Sequence, residues 1–264
     1  MSKVNLYLPV YQNLEREVIE LTNSIHFCDE QLEVFSVKIG ELLFRCCVEV
    51  ESISKELFNI QFNIGDKHKI GKAKNIECGF HGDGEWKKKD KSGNLKLQIL
   101  YFDYYCIDYL DSIWNLCVKT VSISCSNMFF DSAENKSFCP LSEEERTADY
   151  VPQKNQLGGW LKSYQAIKHS RAKNLKQGNL YHLIRALAAL YLLNTIYDNN
   201  GYKDYLHLED SKLTEHKNFG SKIFYNKSSG TAQTTVCSCS TKQWNGVCRQ
   251  CVTSPTGSRV FAGA

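Results

Sequence analysis

The chain has 264 residues, 42% of them hydrophobic, enough to bury one substantial core or two small ones. Its formal charge of +3 conceals an asymmetry, since residues 1–149 hold 17 Lys/Arg against 24 Asp/Glu and residues 150–264 hold 15 against 5. The longest apolar run, Ala186 to Leu193, is far too short to cross a bilayer, and Met1 to Gln12 lacks the apolar core of a secretory signal, so the expectation is a soluble, cytoplasmic protein without a membrane partner.

Twelve cysteines raise the question of a disulfide scaffold, but eight of them are scattered through the first 139 residues of a chain too large to need staples. Cys46, Cys106 and Cys117 sit among apolar residues in helix-like segments, where a reduced Cys behaves as a small hydrophobe.

In chain order, the N-terminal third reads as two helices. The second, from about Glu30 to Ile60, carries Leu32, Phe35, Ile39, Leu43, Cys46, Val50, Ile53 and Leu57 at spacings of three and four, the mark of a buried stripe. Glu49 lies at the edge of that stripe. It is either a solvated flank residue or a carboxylate that reaches into a polar site and orients a cation there.

Residues 65–98 change character. Their glycines and lysines, including Lys87-Lys88-Lys89-Asp90-Lys91, predict an exposed loop or hairpin inserted at the surface. His68, Cys78 and His81 are irregularly spaced and form only a weak metal-ligand set. Leu95 to Trp114 is aromatic-rich with helical spacing, and Val118 to Ser124 alternates as one short strand. Phe138-Cys139-Pro140-Leu141 and the acidic Glu143 to Glu145 make a connection. Gly158-Gly159 precede a basic helix from about Leu161 to Lys173. A second helix, capped at Asn179, runs to about Tyr197 with so little polar surface that it should be the central core helix.

A short strand is expected near Lys222 to Tyr225. From about residue 216 the chain turns into a Ser/Thr/Gly/Cys-rich basic tail, expected to be dispensable for the helical domain of residues 1–215. The tail holds Cys237-x-Cys239 and Cys248-x-x-Cys251. Two close cysteine pairs around Asn245-Gly246 fit a four-thiolate zinc site, and the low apolar content fits a disordered tail.

The strongest functional signal is the run from Tyr150 to Tyr197, 48 residues with seven Lys/Arg and no Asp or Glu. Fixed positive charge without interspersed acids is the footprint of a polyanion site. On a regular helix Tyr164, Lys168 and Arg171 share one face, and His169 lies beside Gln165. His182 and Arg185 open the next helix, and a short turn at Gly178 would bring the two helices antiparallel and their basic groups together. Metal-independent RNA cleavage needs a proton-exchanging group and fixed cations for the transition-state charge. His169 and Arg171 are the candidate catalytic pair. Lys168, Tyr164, Gln165, His182 and Arg185 are the candidate RNA- or phosphate-binding set, with Glu49 in an orienting role and no cofactor.

These residues resemble a known group. Trp160-x3-Tyr164-Gln165-x2-Lys168-His169-x-Arg171, followed by Asn179-Leu180 and a Leu/Ala-rich helix, is similar to the W-x3-Y-N-x2-K-H-x-R signature of HEPN-like helical proteins. Glu49-Val50-Glu51 with Lys55, and Phe138-x-Pro140-Leu141, extend the likeness over roughly residues 10–200. Gln165 stands where Asn is usual. None of the seven arginines is followed, four to six residues on, by the His that the nucleases of that class carry. The resemblance implies a mainly α-helical bundle that commonly forms dimers, and an endoribonuclease of a defence or stress system. Two other readings stay open: a non-catalytic nucleotide- or phosphate-binding module, and a structural protein whose dipolar charge pattern serves self-association.

Overall fold

The structure is a computed structural model, described here for residues 5–61, 78–81, 85–89, 92, 95–97, 102–151, 156–198 and 220–226. The chain separates into two compact units, residues 1–230 and 231–264, and every described residue lies in the first. The Cys237, Cys239, Cys248 and Cys251 set and His68 lie outside the described residues, as do the side chains of Cys78 and His81. Among the described residues no cluster of His, Cys, Asp and Glu could hold a metal, and no helix is long and apolar enough to cross a membrane.

The unit is mainly α-helical, with seven α-helices among the described residues and three small sheets. The first helix, α1, spans Tyr7–Leu21, and β1 is Phe27–Cys28. Helix α2 spans Val37–Gln61. Its Ile39, Leu43, Cys46, Val50, Ile53 and Leu57 are all fully buried, so the three-and-four periodicity marks the core face as expected. The helix begins later than the apolar pattern suggests. Ser36 is its N-cap, the hydroxyl accepting from the Ile39 N–H at 3.1 Å, so Leu32 and Phe35 belong to the preceding segment.

The insertion contains a meander, β2 (Cys78–His81), β3 (Glu85–Lys89) and β4 (Leu95–Leu97), paired antiparallel in chain order. The helix expected from residue 95 therefore starts later, as a π-helical turn at Phe102–Ile107 that runs into α3, Asp108–Trp114. Two short sheets follow. Strand β6 (Met128–Phe129) lies parallel to β1, and β5 (Val121–Ile123) sits between β7 (Ser137–Phe138) and β8 (Phe224–Asn226). Helices α4 (Ala133–Lys136), α5 (Glu143–Thr147), α6 (Trp160–Asn174) and α7 (Leu180–Asp198) complete the unit.

Helix α7 is the centre. From Leu180 to Ile196 only Tyr181 escapes full burial, which is the state of a helix apolar on every side. It packs most extensively against α2, with α1 and α6 on other faces. Its first three N–H groups, which the helix cannot satisfy internally, are all bonded. Leu180 and Tyr181 donate to the carbonyls of Val34 and Leu32 at 2.9 Å each and His182 to Asn179 Oδ1 at 3.1 Å, and the helix's own ladder begins with Leu183 on the Asn179 carbonyl at 3.1 Å. The expected cap at Asn179 is present, and the N–H groups of the first helical turn are engaged within the protein.

Strand β8 alters the expected boundary of the tail. Ile223 and Phe224 are fully buried, and Phe224 continues an aromatic row with Tyr191 and Tyr11. The buried Glu15 of α1 holds the turn before it, accepting from Tyr11 Oη at 2.7 Å, Ser221 Oγ at 2.5 Å and the N–H groups of Lys222 and Ile223 at 2.9 and 3.0 Å. A buried carboxylate with four donors is satisfied, so residues 220–226 belong to the core rather than to the basic tail.

Candidate functional site

Two glycines set where α6 begins. Gly158 has φ +78°, and a Cβ on Gly159 would lie 2.2 Å from the Arg146 carbonyl carbon, so the backbone passes over α5 only without side chains. Trp160 then enters the core, and its indole Nε1–H donates to the Pro140 carbonyl at 2.8 Å. The Trp of the signature and the Pro of the connection thus form one buried contact. Tyr164, one turn on, is 2% exposed and meets Phe44 of α2 edge to face at 5.1 Å. Burial pushes its phenol up to about 12. A base cannot stack on this ring, so the binding role expected of Tyr164 is replaced by an anchoring one.

His182 and Arg185 are likewise spent inside. His182 is fully buried, with Nδ1 2.6 Å from the Gln177 carbonyl and Nε2 2.9 Å from the Leu157 carbonyl and 3.1 Å from Ser163 Oγ. A neutral imidazole has one N–H, so it donates either from Nδ1 to the Gln177 carbonyl or from Nε2 to the Leu157 carbonyl, and not to both. Burial pushes the imidazole down to about 4, against the pull of the surrounding carbonyls. His182 is thereby enclosed by the segment before α6, Ser163 of α6 and the turn after it.

Arg185 is 2% exposed and donates from Nε to Glu145 Oε2 at 3.0 Å and from Nη2 to Asn135 Oδ1 at 2.6 Å. Its guanidinium lies 3.6 Å from the Tyr181 ring centre and 4.5 Å from that of Phe138. The network continues from Asn135 Nδ2 to Asp29 Oδ1 at 2.6 Å. Burial raises the Asp29 carboxyl, but the N–H groups of Ser132 and Asp131, the Asn135 amide and the Ser132 hydroxyl outweigh it and hold the group at about 2. Neither His182 nor Arg185 can reach a ligand at the surface, because each is enclosed with its own partners.

The other candidates lie outside. Lys168, His169 and Arg171 are all exposed. Helix α6 is not continuous through them, for Ser170 has φ −154° and ψ 66° and breaks the helical path. The Asn174 amide repairs the break, donating to the carbonyls of Ala166 and Ser170 at 3.0 Å each. The single helical face expected for Tyr164, Lys168 and Arg171 is therefore interrupted. The cations still converge by another route: Lys168 Nζ sits 5.4 Å from the Tyr164 ring centre and the Arg171 guanidinium 5.2 Å from that of Phe44. The two rings are themselves in contact, so the site is an aromatic pair flanked by two cations, with His169 between them in sequence.

Glu49 is not an orienting group for this site. It is half-buried, desolvation pushes its carboxyl up, and the cation that opposes the shift is Arg45. No hydrogen bond or ion pair joins it to His169 or Arg171 among the described residues. Arg45 in turn donates to Glu17 at 2.6 Å, as does Lys38 at 2.5 Å, which ties α1 to α2. Gln165 is half-buried and makes no hydrogen bond within the described residues. Phe44 is the site residue the sequence reading misses. It lies beside Leu43 at the margin of the α2 stripe, and no local pattern separates a ring that supports a distant arginine from one that only fills space.

The described cysteines are free thiols. Desolvation raises those of Cys46, Cys47 and Cys106 well above the ordinary range and pushes Cys117, next to the Asp111 carboxylate, up to about 12. A thiol kept protonated in this way is a poor nucleophile near neutral pH. A small open cavity of about 240 Å³ lies elsewhere, lined by Ser122, Met128, Phe130, Lys136, Ser137 and Tyr225 among others. It shares no residue with the α6 cluster.

No family model, no curated protein and no solved structure matches this chain.

Proposed function

We propose that this chain is a HEPN-like helical protein that binds RNA, holding the phosphate backbone against Lys168, His169 and Arg171 on the outer side of α6. The observation that supports this reading is the exposure of all three, with no carboxylate paired to any of them among the described residues, on a helix whose opposite side is locked into the core. Solvated helix faces normally mix signs. The helix dipole accounts for a cation or two in a last turn, and α6 has Arg171 and Lys173 there, but it gives no reason for Lys168 and Lys176 to stand unpaired as well. A cation resting on an aromatic ring has already lost part of its side-chain freedom, so less is lost when a phosphate binds.

Cleavage extends the same reading. Proton exchange with the ribose 2′-hydroxyl or the leaving 5′-oxygen falls to His169, and Arg171 and Lys168 stabilise the charge that develops on phosphorus-bound oxygens. No metal enters this scheme.

The test is a mixed RNA pool incubated with wild type, His169→Ala and Arg171→Ala in the presence of a chelator. Arg171→Ala should weaken binding without unfolding the protein. His169→Ala should keep most of the binding and lower any cleavage by about 10²–10⁴. A folded wild type that holds no RNA at low salt overturns the proposal. Loss of folding in both variants points instead to a structural role for the cluster.

A further inference from the structure

The outer face of the β7-β5-β8 sheet carries donors that the α6 cluster does not share. Ser122 of β5 pairs with Ser137 of β7 on one side and with Tyr225 of β8 on the other. Side chains paired across antiparallel strands stand on one face, so these three form a row. Val121, Phe138 and Phe224 take the other face and are buried in the core. The row lines the open cavity of about 240 Å³, together with the apolar Met128 and Phe130 and the cation Lys136.

The polar groups of this cavity have donors to spare. The Ser122 and Ser137 hydroxyls share one hydrogen bond at 2.8 Å, which uses one O–H and leaves the other. Ser122 is 3% exposed, so the pair lies deep. Lys136 is exposed, and no described carboxylate pairs with it. The hydroxyl of the exposed Tyr225 likewise has no partner among the described residues. Among those residues no Asp or Glu lines the cavity to repel an anion. Size narrows the ligand further. A cavity of about 150 Å³ holds benzene, whereas drug-sized ligands take about 300 Å³ or more. A single cation in the lining offsets a single negative charge.

We infer that this cavity binds a small monocarboxylate with an apolar body, an aromatic acid of about the size of benzoate. The carboxylate meets the Lys136 ammonium and the spare serine O–H, and the ring rests against Met128, Phe130 and Tyr225. The site is separate from the RNA-binding reading and stands whether or not α6 holds RNA.

The experiment titrates the full chain with benzoate, with benzamide as its uncharged counterpart, and with inorganic phosphate, following heat of binding and thermal midpoint. Benzoate should bind saturably, on the order of 1 mM for so small a ligand, and raise the midpoint. Benzamide and phosphate should each bind about tenfold more weakly or not at all. Lys136→Gln should weaken benzoate about tenfold while leaving the ligand-free midpoint unchanged, since the residue is exposed. Lys168→Ala/Arg171→Ala should leave benzoate binding as it is. No saturable benzoate binding by the folded chain overturns the inference, and so does undiminished binding by Lys136→Gln. Loss of benzoate in the Lys168→Ala/Arg171→Ala variant overturns it too, by placing the anion at α6. Benzamide or phosphate bound as tightly as benzoate overturns the assignment of a carboxylate.

Discussion

The two ends of α6 come from one basic sequence and meet opposite fates. From Trp160 to Ile167 the helix is bound into the core, with the indole on the Pro140 carbonyl, Ser163 on His182 and Tyr164 on Phe44. From Lys168 onward it leaves the core, breaks at Ser170 and presents cations that no described carboxylate neutralises. A sequence signature can therefore be partly a folding device and partly a surface. Aromatic and buried members set the position of the exposed ones, and only the exposed ones are available to a ligand.

The largest effects should come from the buried side of that division. Trp160→Ala removes a fully buried ring and its hydrogen bond to Pro140, and should cost about 3–5 kcal/mol in chemical denaturation. Arg185→Ala should cost a similar amount, about 3–5 kcal/mol, because Glu145 loses its buried guanidinium partner. If either variant unfolds with wild-type midpoint, the core role assigned to that half is wrong.

The next effect depends on pH. His182 has an ordinary value near 6.5 when unfolded and about 4 in the fold, so the unfolded chain takes up the proton first. Stability is full above pH 6.5 and is lost as pH falls towards 4, by at most about 3 kcal/mol. Asp29, held at about 2 against an ordinary 3.8, loses its contribution in a separate and lower window. Denaturation curves of wild type and His182→Gln at several pH values check the first window. The variant should be flat there, and a decline as steep as that of wild type would exclude His182 as its source.

The smallest effect on stability should come from the exposed side. Arg171→Ala removes a cation from the Phe44 ring and should cost about 0.5–1 kcal/mol. Its RNA affinity should nevertheless fall, with the log–log salt slope smaller by about one.

Much of the core was legible because it depends on period and local chemistry. The α2 stripe, the all-round apolar α7, the Asn179 cap and the hairpin in the Gly/Lys-rich insertion all follow from neighbours in sequence. The acid-free run likewise located the exposed cations. What was not legible depends on distant partners. Nothing near Arg185 shows that Glu145 and Asn135 will enclose it, and nothing near Glu15 shows that residues 221–223 will return to it. The Ser170 break is equally silent, for it has no Pro or Gly and depends on an Asn four residues later. Once the helix is bent, a regular helical wheel misplaces Arg171 and omits Phe44. Pairing His182 and Arg185 with the surface cluster was an inference from charge alone, and burial decides against it.

The most direct test of the division at Lys168 is the Lys168→Ala/Arg171→Ala double variant, with RNA affinity across a salt series and unfolding free energy measured on the same preparation. Affinity should fall on the order of twenty-fold, with a salt slope smaller by about two, while stability changes by no more than about 2 kcal/mol. Unchanged affinity together with a marked loss of stability would contradict the account, and would place these cations with Trp160 and Tyr164 as parts of the fold.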